Sequence, residues 1–335
     1  MFKLLIFVAI INMNFMRRIR IIENKSEIAA GTRGSSLGID ALKVAAWNQE
    51  DNYFKRYSSV TIKDQNHLLY EPVKSSSAIR IEGVVKVYEI ISNEVKETLL
   101  KNEFPIVLSG DHASAGGVIA GVKMAYPDKR IGVIWIDAHG DLHSPYTSPS
   151  GNIHGMPLAT ALNIDNKESK IREVDETTLS YWNQLKNTGG IAPKILASDL
   201  VFFGVRDTEA PEEHLVKKLG IKNYSVEECR KRTFKECATE ALESLKACDL
   251  LYLSFDVDSM DSDKVSEGTG TPVENGFFPK EAEALIKEFT SSQKLVCFEM
   301  VEINPTLDNK ENFMAETAFK ILKSTTESIE KTLIG

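Results

Sequence analysis

Three short segments hold most of the residues that could do chemistry: Asp137-Ala138-His139-Gly140-Asp141, Gly151-Asn152-Ile153-His154-Gly155 and Ser254-Phe255-Asp256-Val257-Asp258. Asp137, His139 and Asp141 alternate, so on a strand continued through them their side chains share one side, and a bend there brings all three to one centre. Asp256 and Asp258 repeat the device, and Ser109-Gly110-Asp111-His112 adds a second imidazole. Four carboxylates crowded without counter-charge repel and raise one another's pKa values, which a pair of divalent cations relieves. Two histidines and four aspartates suit two ions sharing bridging carboxylates, and such a set favours Mn²⁺, with Co²⁺ or Fe²⁺ tolerated, over structural zinc. Two such ions about 3.5–4 Å apart hold a bridging hydroxide at neutral pH, so the chemistry indicated is metal-assisted hydrolysis.

Those residues need strand ends to hold them. Apolar, β-rich runs occur at Pro105 to Ser109, Ile131 to Asp137, Leu200 to Gly204, Leu250 to Asp256 and Leu295 to Val301, separated by helix-compatible stretches. Continuous apolar strands are buried on both faces, which predicts an α/β fold: one doubly wound domain with a mostly parallel sheet and helices on each side. In such a sheet ligands sit outside the carboxyl ends of the strands. A polar cluster follows each run there: Ser109 to His112, Asp137 to Asp141, Arg206 to Glu209, Asp256 to Asp258, and Glu302-Ile303-Asn304-Pro305. Five on one edge imply a shared crevice. The segment IRIIE from Ile19 also reads as a strand, followed by a glycine-rich turn, GTRGSSLG, and a helical pattern over Ile39 to Ala46. That turn lacks the lysine ending of a phosphate loop and reads as a turn or entrance loop. Helix formers dominate Ser225 to Ala247, Lys280 to Phe289 and Asn312 to Leu333.

With 335 residues, 42% of them hydrophobic, the chain can bury a substantial core. Its net charge of −8 argues against general affinity for nucleic acid or an anionic membrane and is compatible with a cationic small substrate. Cys229, Cys237, Cys248 and Cys297 show no CxxC spacing; the first two or three read as helical, Cys297 as a strand residue, and all as reduced thiols of a cytoplasmic protein. Leu4 to Ile11 is too short to span a bilayer and lacks a cleavage site, so residues 1–18 read as a leader or, better, as a start placed too far upstream of Met16.

SGDHAS, WIDAHGD, SGNIHGMPLA, SFDVDSMD, GTGTP and VEINP occur in the order and approximate spacing of the ureohydrolases. The chain over residues 19–335 resembles that family, and GNIHGMP resembles arginase more than agmatinase or formimidoylglutamase. The resemblance implies two Mn²⁺ ions, one held by His112, Asp137, Asp141 and Asp256, the other by Asp137, His139, Asp256 and Asp258. It implies that Asp141 passes a proton from the bridging hydroxide to the departing amine, that His154 shuttles protons to bulk water, and that Glu302 pairs with the substrate guanidinium. Ser148, Ser150, Asn152, Glu209 and Glu212, with Thr271 of GTGTP, match positions around the substrate, and Arg206 and Asp207 look like supports. The implied reaction is hydrolysis of L-arginine, or of another guanidino compound, by a homo-oligomer, trimeric or hexameric.

Several residues depart from the arginase pattern. His143 stands where Asn is usual and Glu209 where Asp is usual, and either change could retune the pocket. Ser109 replaces a usual Gly, and Ser262 a usual Pro. His143 itself reads either as pocket wall or as exposed loop, while His67 and His214 carry no supporting motif. The stretch Asn163 to Pro193 is longer than in many arginases and could cover the crevice, form a subunit contact or be a solvated excursion. A dinuclear phosphoesterase would show GNH followed by Asp or Glu, whereas here Ile153 separates Asn152 from His154. A non-catalytic subunit of this fold would be expected to have lost ligands, and all six candidates are present.

Overall fold

The computed structural model describes residues 17–334. Eight strands form one sheet: β1 (Arg18–Asn24), β2 (Ser58–Thr61), β3 (Glu103–Ser109), β4 (Ile131–Ile136), β5 (Leu200–Phe203), β6 (Lys222–Tyr224), β7 (Leu250–Asp256) and β8 (Leu295–Val301). Their order is β2-β1-β3-β8-β7-β4-β5-β6, and every pairing is parallel. The alternative readings of residues 1–18 concern residues that, up to Met16, lie outside the described part; Arg18 already opens β1.

Side chains alternate across each strand, and both faces are apolar. On β4, Ile134 and Ile136 join a cluster with helices Gly38–Asn48, Phe234–Ser244, Pro279–Thr290 and Phe313–Ile334. Val133 and Trp135 join the opposite cluster, with helices Ile81–Leu100, Ser114–Ala125 and Ala210–Leu219. Each large apolar side chain so buried contributes roughly 1.5–3 kcal/mol, which explains the uninterrupted hydrophobic runs. Asp137 lies just past β4, where its N–H still bonds Phe203 O at 3.1 Å. The five strands that carry the polar clusters, β3, β8, β7, β4 and β5, are consecutive in the sheet, so the clusters meet at its centre.

Some elements differ from the sequence expectations. The stretch Ser225 to Ala247 is two helices, Val226–Arg232 and Phe234–Ser244. Thr233 breaks them at φ 135° and caps the second by accepting from Glu236 N. Cys248 lies beyond the second helix, in the connection to β7, while Cys229 and Cys237 are helical; all four cysteines are buried and unbridged. The edge strands β2 and β6 are short and polar, as an edge facing solvent favours.

Asn163 to Pro193 is built into the molecule through helix Glu176–Lys186, whose Trp182 is fully buried. Asp165 accepts from Trp182 Nε1 at 2.8 Å and from Lys186 Nζ at 2.6 Å, tying the helix back to the start of the stretch. Arg172 donates to Pro149 O at 3.0 Å and so braces a loop that matters below.

Candidate metal centre and active site

β4 does not continue through Asp137, His139 and Asp141, which corrects the simplest reading of their alternation. The strand ends at Ile136, His139 makes only an isolated bridge with Asp207, and Asp141 adopts a left-handed backbone with φ 49°. The bend, rather than strand pleating, brings the three side chains together. Three of the four aspartates each use one oxygen to fix loop backbone, Asp137 and Asp256 in their own loops and Asp258 across to the other. Asp137 Oδ1 accepts from His139 N at 2.7 Å, Asp256 Oδ1 from Asp258 N at 2.8 Å, and Asp258 Oδ1 from Ala138 N at 3.2 Å. The other oxygens converge. Oδ2 atoms of Asp137, Asp141 and Asp256 lie 3.0, 3.2 and 3.1 Å from His112 Nδ1. His139 Nδ1 lies 3.0 Å from Asp258 Oδ2 and 3.5 Å from Asp137 Oδ1.

The state of His112 tests whether these groups suit a cation. Its Nε2 lies 2.8 Å from Ser254 Oγ, so a proton on Nε2 leaves the Nδ1 lone pair facing three carboxylate oxygens. His112 Nδ1 and Asp137 Oδ2 are buried without a hydrogen-bond partner. Lone pairs converging in a buried site repel unless a positive charge sits among them, and divalent ions fit that requirement. Three groups of ligand atoms among the described residues meet closely enough to hold an ion: His112 with Asp137 and Asp141, Asp137 with His139 and Asp258, and, in the outer wall of the cleft, His143 with Glu209 and Glu212. Asp137 belongs to the first two.

The titratable groups of the cluster respond to the same crowding. Burial, then the charge of Asp137, raises Asp141 well above the usual carboxylate range. Burial, then Asp258 and Asp137, does the same to Asp256. Burial disfavours charge on His112 and His139, but the surrounding carboxylates outweigh it and raise both. Burial also opposes ionisation of Asp137, yet both imidazoles hold it below the ordinary value.

A cleft of about 260 Å³ opens onto these residues. Every candidate site residue named from the sequence lines it except Asp137 and Glu302, which lie beneath. Glu302 is buried, with a left-handed φ of 68°. Its Oε1 accepts from His112 N at 2.8 Å and lies 3.2 Å from His154 Nδ1, while Oε2 has no partner. Burial opposes protonation of His154, but Glu302 raises its pKa above the usual imidazole value. Thr271 Oγ1 donates to Asp258 Oδ2 at 3.1 Å. Arg206 supports from behind, donating to the carbonyls of Asp258 at 3.0 Å and Val273 at 2.8 Å.

His143 is pocket wall, not exposed loop: it is buried, 2.8 Å from Glu209 Oε2 and 3.3 Å from Glu212 Oε2. Burial disfavours its charge, but the two glutamates prevail and push its pKa up to about 9. Glu212 also accepts from Leu142 N at 3.0 Å and Glu209 N at 3.3 Å, so this trio is held as a capped ion pair. Ser148, Ser150 and Asn152 complete the outer wall, and the glycine-rich turn abuts them: a Cβ on Gly31 would fall 2.7 Å from Asn152 Nδ2. No residue of Asn163 to Pro193 lines the cleft. His67 and His214 are exposed and distant in role, His214 pairing with Glu168 at 2.9 Å.

Four residues around the centre received no role from the sequence. Trp135 stacks on His112 with ring centroids 4.1 Å apart and planes 3° from parallel. Ser254 holds the far nitrogen of the same ring. Asp111, raised to about 7 by burial and then Glu302, accepts from Ala29 N at 3.1 Å. Glu299 is fully buried inside β8, and a charged residue in the middle of LVCFEMV was the signal available. A larger cleft, about 580 Å³, lies elsewhere, lined by Arg17, Arg18, Arg56 and Leu333 among others, and holds no comparable cluster.

Similarity to known proteins agrees with this geometry. The chain is 32% identical to an arginase of Bacillus subtilis over 92% of its own length and 97% of the relative's. It is 37% identical to an arginase of Brevibacillus brevis over 73% of this chain and 76% of the other. A crystal structure of arginase from Bacillus subtilis superposes with a TM-score of 0.76 at 32% identity, covering 92% of this chain and 98% of that one. The sequence profile of the arginase family matches residues 18–326, and the chain belongs to that family of ureohydrolases.

Proposed function

We propose that this chain hydrolyses the guanidinium group of L-arginine to L-ornithine and urea with two Mn²⁺ ions bound. The observation that carries the reading is the convergence of three carboxylate oxygens at 3.0–3.2 Å on Nδ1 of His112, with His139 and Asp258 placed alongside. His112, Asp137, Asp141 and Asp256 would hold one ion, and Asp137, His139, Asp256 and Asp258 the other. When bound, such a pair lowers the pKa of water to about 7 and so supplies hydroxide at neutral pH.

The remaining work belongs to the protein. Glu302 Oε2, buried and without a partner, is free to accept a guanidinium N–H and fix the planar carbon, and a charge-assisted pair of this kind is directional as well as strong. Asp141, whose Oδ2 converges on the cluster 3.2 Å from His112 Nδ1, would pass a proton to the departing amine. His154 faces the cleft from above Glu302 and can exchange that proton with solvent. His143, Glu209, Glu212, Ser148, Ser150, Asn152 and Thr271 would meet the amino-acid end.

One observation favours a second reading. His143 occupies Glu209 and Glu212 with its own ring, so a guanidino compound with a different tail, such as agmatine, could suit the outer wall. A panel of arginine, agmatine, guanidinobutyrate and formimidoylglutamate, assayed with Mn²⁺ for urea or formamide, separates the two. Selective urea release from arginine is the expected result; preference for agmatine would move the substrate assignment.

A further inference from the structure

No side chain of Asn163 to Pro193 lines the cleft, yet this stretch is stitched along the segment that does. Ser144 Oγ donates to Asp165 O at 2.5 Å, Ile171 N to Tyr146 O at 2.9 Å, and Arg172 Nη2 to Pro149 O at 3.0 Å. The Lys167 ammonium lies 5.1 Å from the centre of the Tyr146 ring. Residues 165–172 therefore follow residues 144–149 and end against the outer wall, at the carbonyl between Ser148 and Ser150.

A second segment holds that wall from another side. Ile79 N donates to Gly151 O at 2.8 Å. A Cβ on Gly151, whose φ is 76°, would fall 2.1 Å from Ser76 O, so only glycine lets the two backbones come this close. Arg172 joins both segments with one side chain: Nη1 donates to Ser76 O at 3.2 Å while Nη2 holds Pro149 O. A planar guanidinium with its donors in a fixed fork suits a bridge between two carbonyls. The helix Glu176–Lys186 supports the same segment, where Thr178 Oγ1 lies 2.9 Å from Ser75 Oγ. Inside the wall, Ser148 Oγ accepts from Gly151 N at 2.9 Å and Ser150 Oγ from Asn152 N at 3.2 Å. A shift of the Pro149 backbone would therefore move Ser148, Ser150 and Asn152 together.

We infer that Arg172 is a positioning residue for the amino-acid end of the substrate, locking the wall Ser148 to Asn152 against residues 75–79 from outside the cleft. The inference rests on the proposed function and deepens it, because it assigns to the long stretch a part in selecting among guanidino compounds. The guanidinium end, assigned to Glu302, lies outside the brace.

The test compares two ligands on the Mn²⁺-loaded protein by calorimetry. L-Ornithine carries the amino-acid end without the guanidinium, and the guanidinium ion is the reverse. R172A should weaken ornithine binding about 3–10-fold, the equivalent of one net hydrogen bond, and leave guanidinium binding within about twofold of the parent. KM for arginine should rise by the same factor while kcat holds, as expected when binding shared by ground and transition states is lost. E173A, one residue further on and pairing with Lys170 rather than with the wall, should match the parent. A merely structural role for Arg172 would lower thermal stability without separating the two ligands. Equal ornithine affinity in parent and R172A overturns the brace, as does an equal loss for guanidinium or a loss of the same size in E173A. If R172A does not fold, R172M, which keeps the apolar stem, decides the matter. A parent protein that binds guanidinium but not ornithine refutes the reading of the wall itself, a different outcome from a parent that binds both and a variant that matches it.

Discussion

Loading the metal-free protein with Mn²⁺ should release protons, in a number set by the arrangement of the cluster. Burial and mutual repulsion raise Asp141 and Asp256 well above the carboxylate range, and the carboxylates around His112 and His139 raise those imidazoles well above theirs. These are two carboxyls and two imidazoles whose raised pKa values all favour the protonated form. Ligands must lose their protons to bind, so loading should release about one or more protons per chain. Calorimetric titration at pH 7 in buffers of different ionisation enthalpy reads that number directly. The same groups set the stability of the metal-free form. Their folded pKa values exceed the unfolded ones, near 3.8 for the carboxyls and 6.5 for the imidazoles, so the folded state binds more protons. Their stabilising contribution is complete below those unfolded values and is lost as pH rises through the folded ones. Mn²⁺ reverses the loss, adding about 4 kcal/mol at a thousandfold excess over its dissociation constant. Release of fewer than one proton per chain, or metal-free stability that climbs from pH 5 to pH 8, would refute this account of the cluster.

Other expectations follow from single contacts. W135A removes a fully buried ring stacked on His112 and should cost about 3–5 kcal/mol in urea unfolding, with W135F far milder. D165N should cost about 1–3 kcal/mol, because the bonds from Trp182 and Lys186 that hold its half-buried carboxyl below the usual range despite burial would lose their charge. That contribution is present above pH 3.8 and lost as pH falls through the lowered value, so D165N should flatten the acid limb of the stability profile. E302Q should lower kcat/KM for arginine by about 10–150-fold, the equivalent of one charged hydrogen bond, with the fold intact by circular dichroism. H154N should lose turnover that added imidazole partly restores; no rescue at any imidazole concentration would exclude shuttling.

Much of the site was legible because two periodicities coincide in this chain. The runs ending at Ser109, Ile136, Phe203, Asp256 and Val301 are apolar on both faces, which can only mean central parallel strands, and a polar cluster stands at each carboxyl end. Edge strands carry no such mark: in β2, Ser58, Ser59 and Thr61 are exposed and nothing apolar needs burying. Helix Ile81–Leu100 precedes the clear strand rhythm and was not singled out, although its buried face, Val84, Val87, Tyr88, Ile91 and Val95, has helical spacing. Outer supports were hidden for another reason. Ser254, Glu299 and Trp135 come from different strands, and their meeting depends on pairing register, which one strand's letters do not encode. The position of His143 depended likewise on where the helix carrying Glu212 begins.

The backbone shows where function outweighs local preference. Asp141 and Glu302 both sit in the left-handed region, where glycine would be unstrained and other residues cost of order 1–3 kcal/mol. Neither is held by accident. The carbonyl of Asp141 accepts from Leu158 N at 3.2 Å, locking the turn to the start of helix Pro157–Leu162, and Glu302 is fixed through its side chain by His112 N. Glycine at either position would relieve the strain and delete a carboxylate that faces the cluster. The same turn geometry that aims Asp141 Oδ2 toward His112 is therefore the geometry glycine favours, and only the chemistry of the carboxyl group explains why aspartate occupies it.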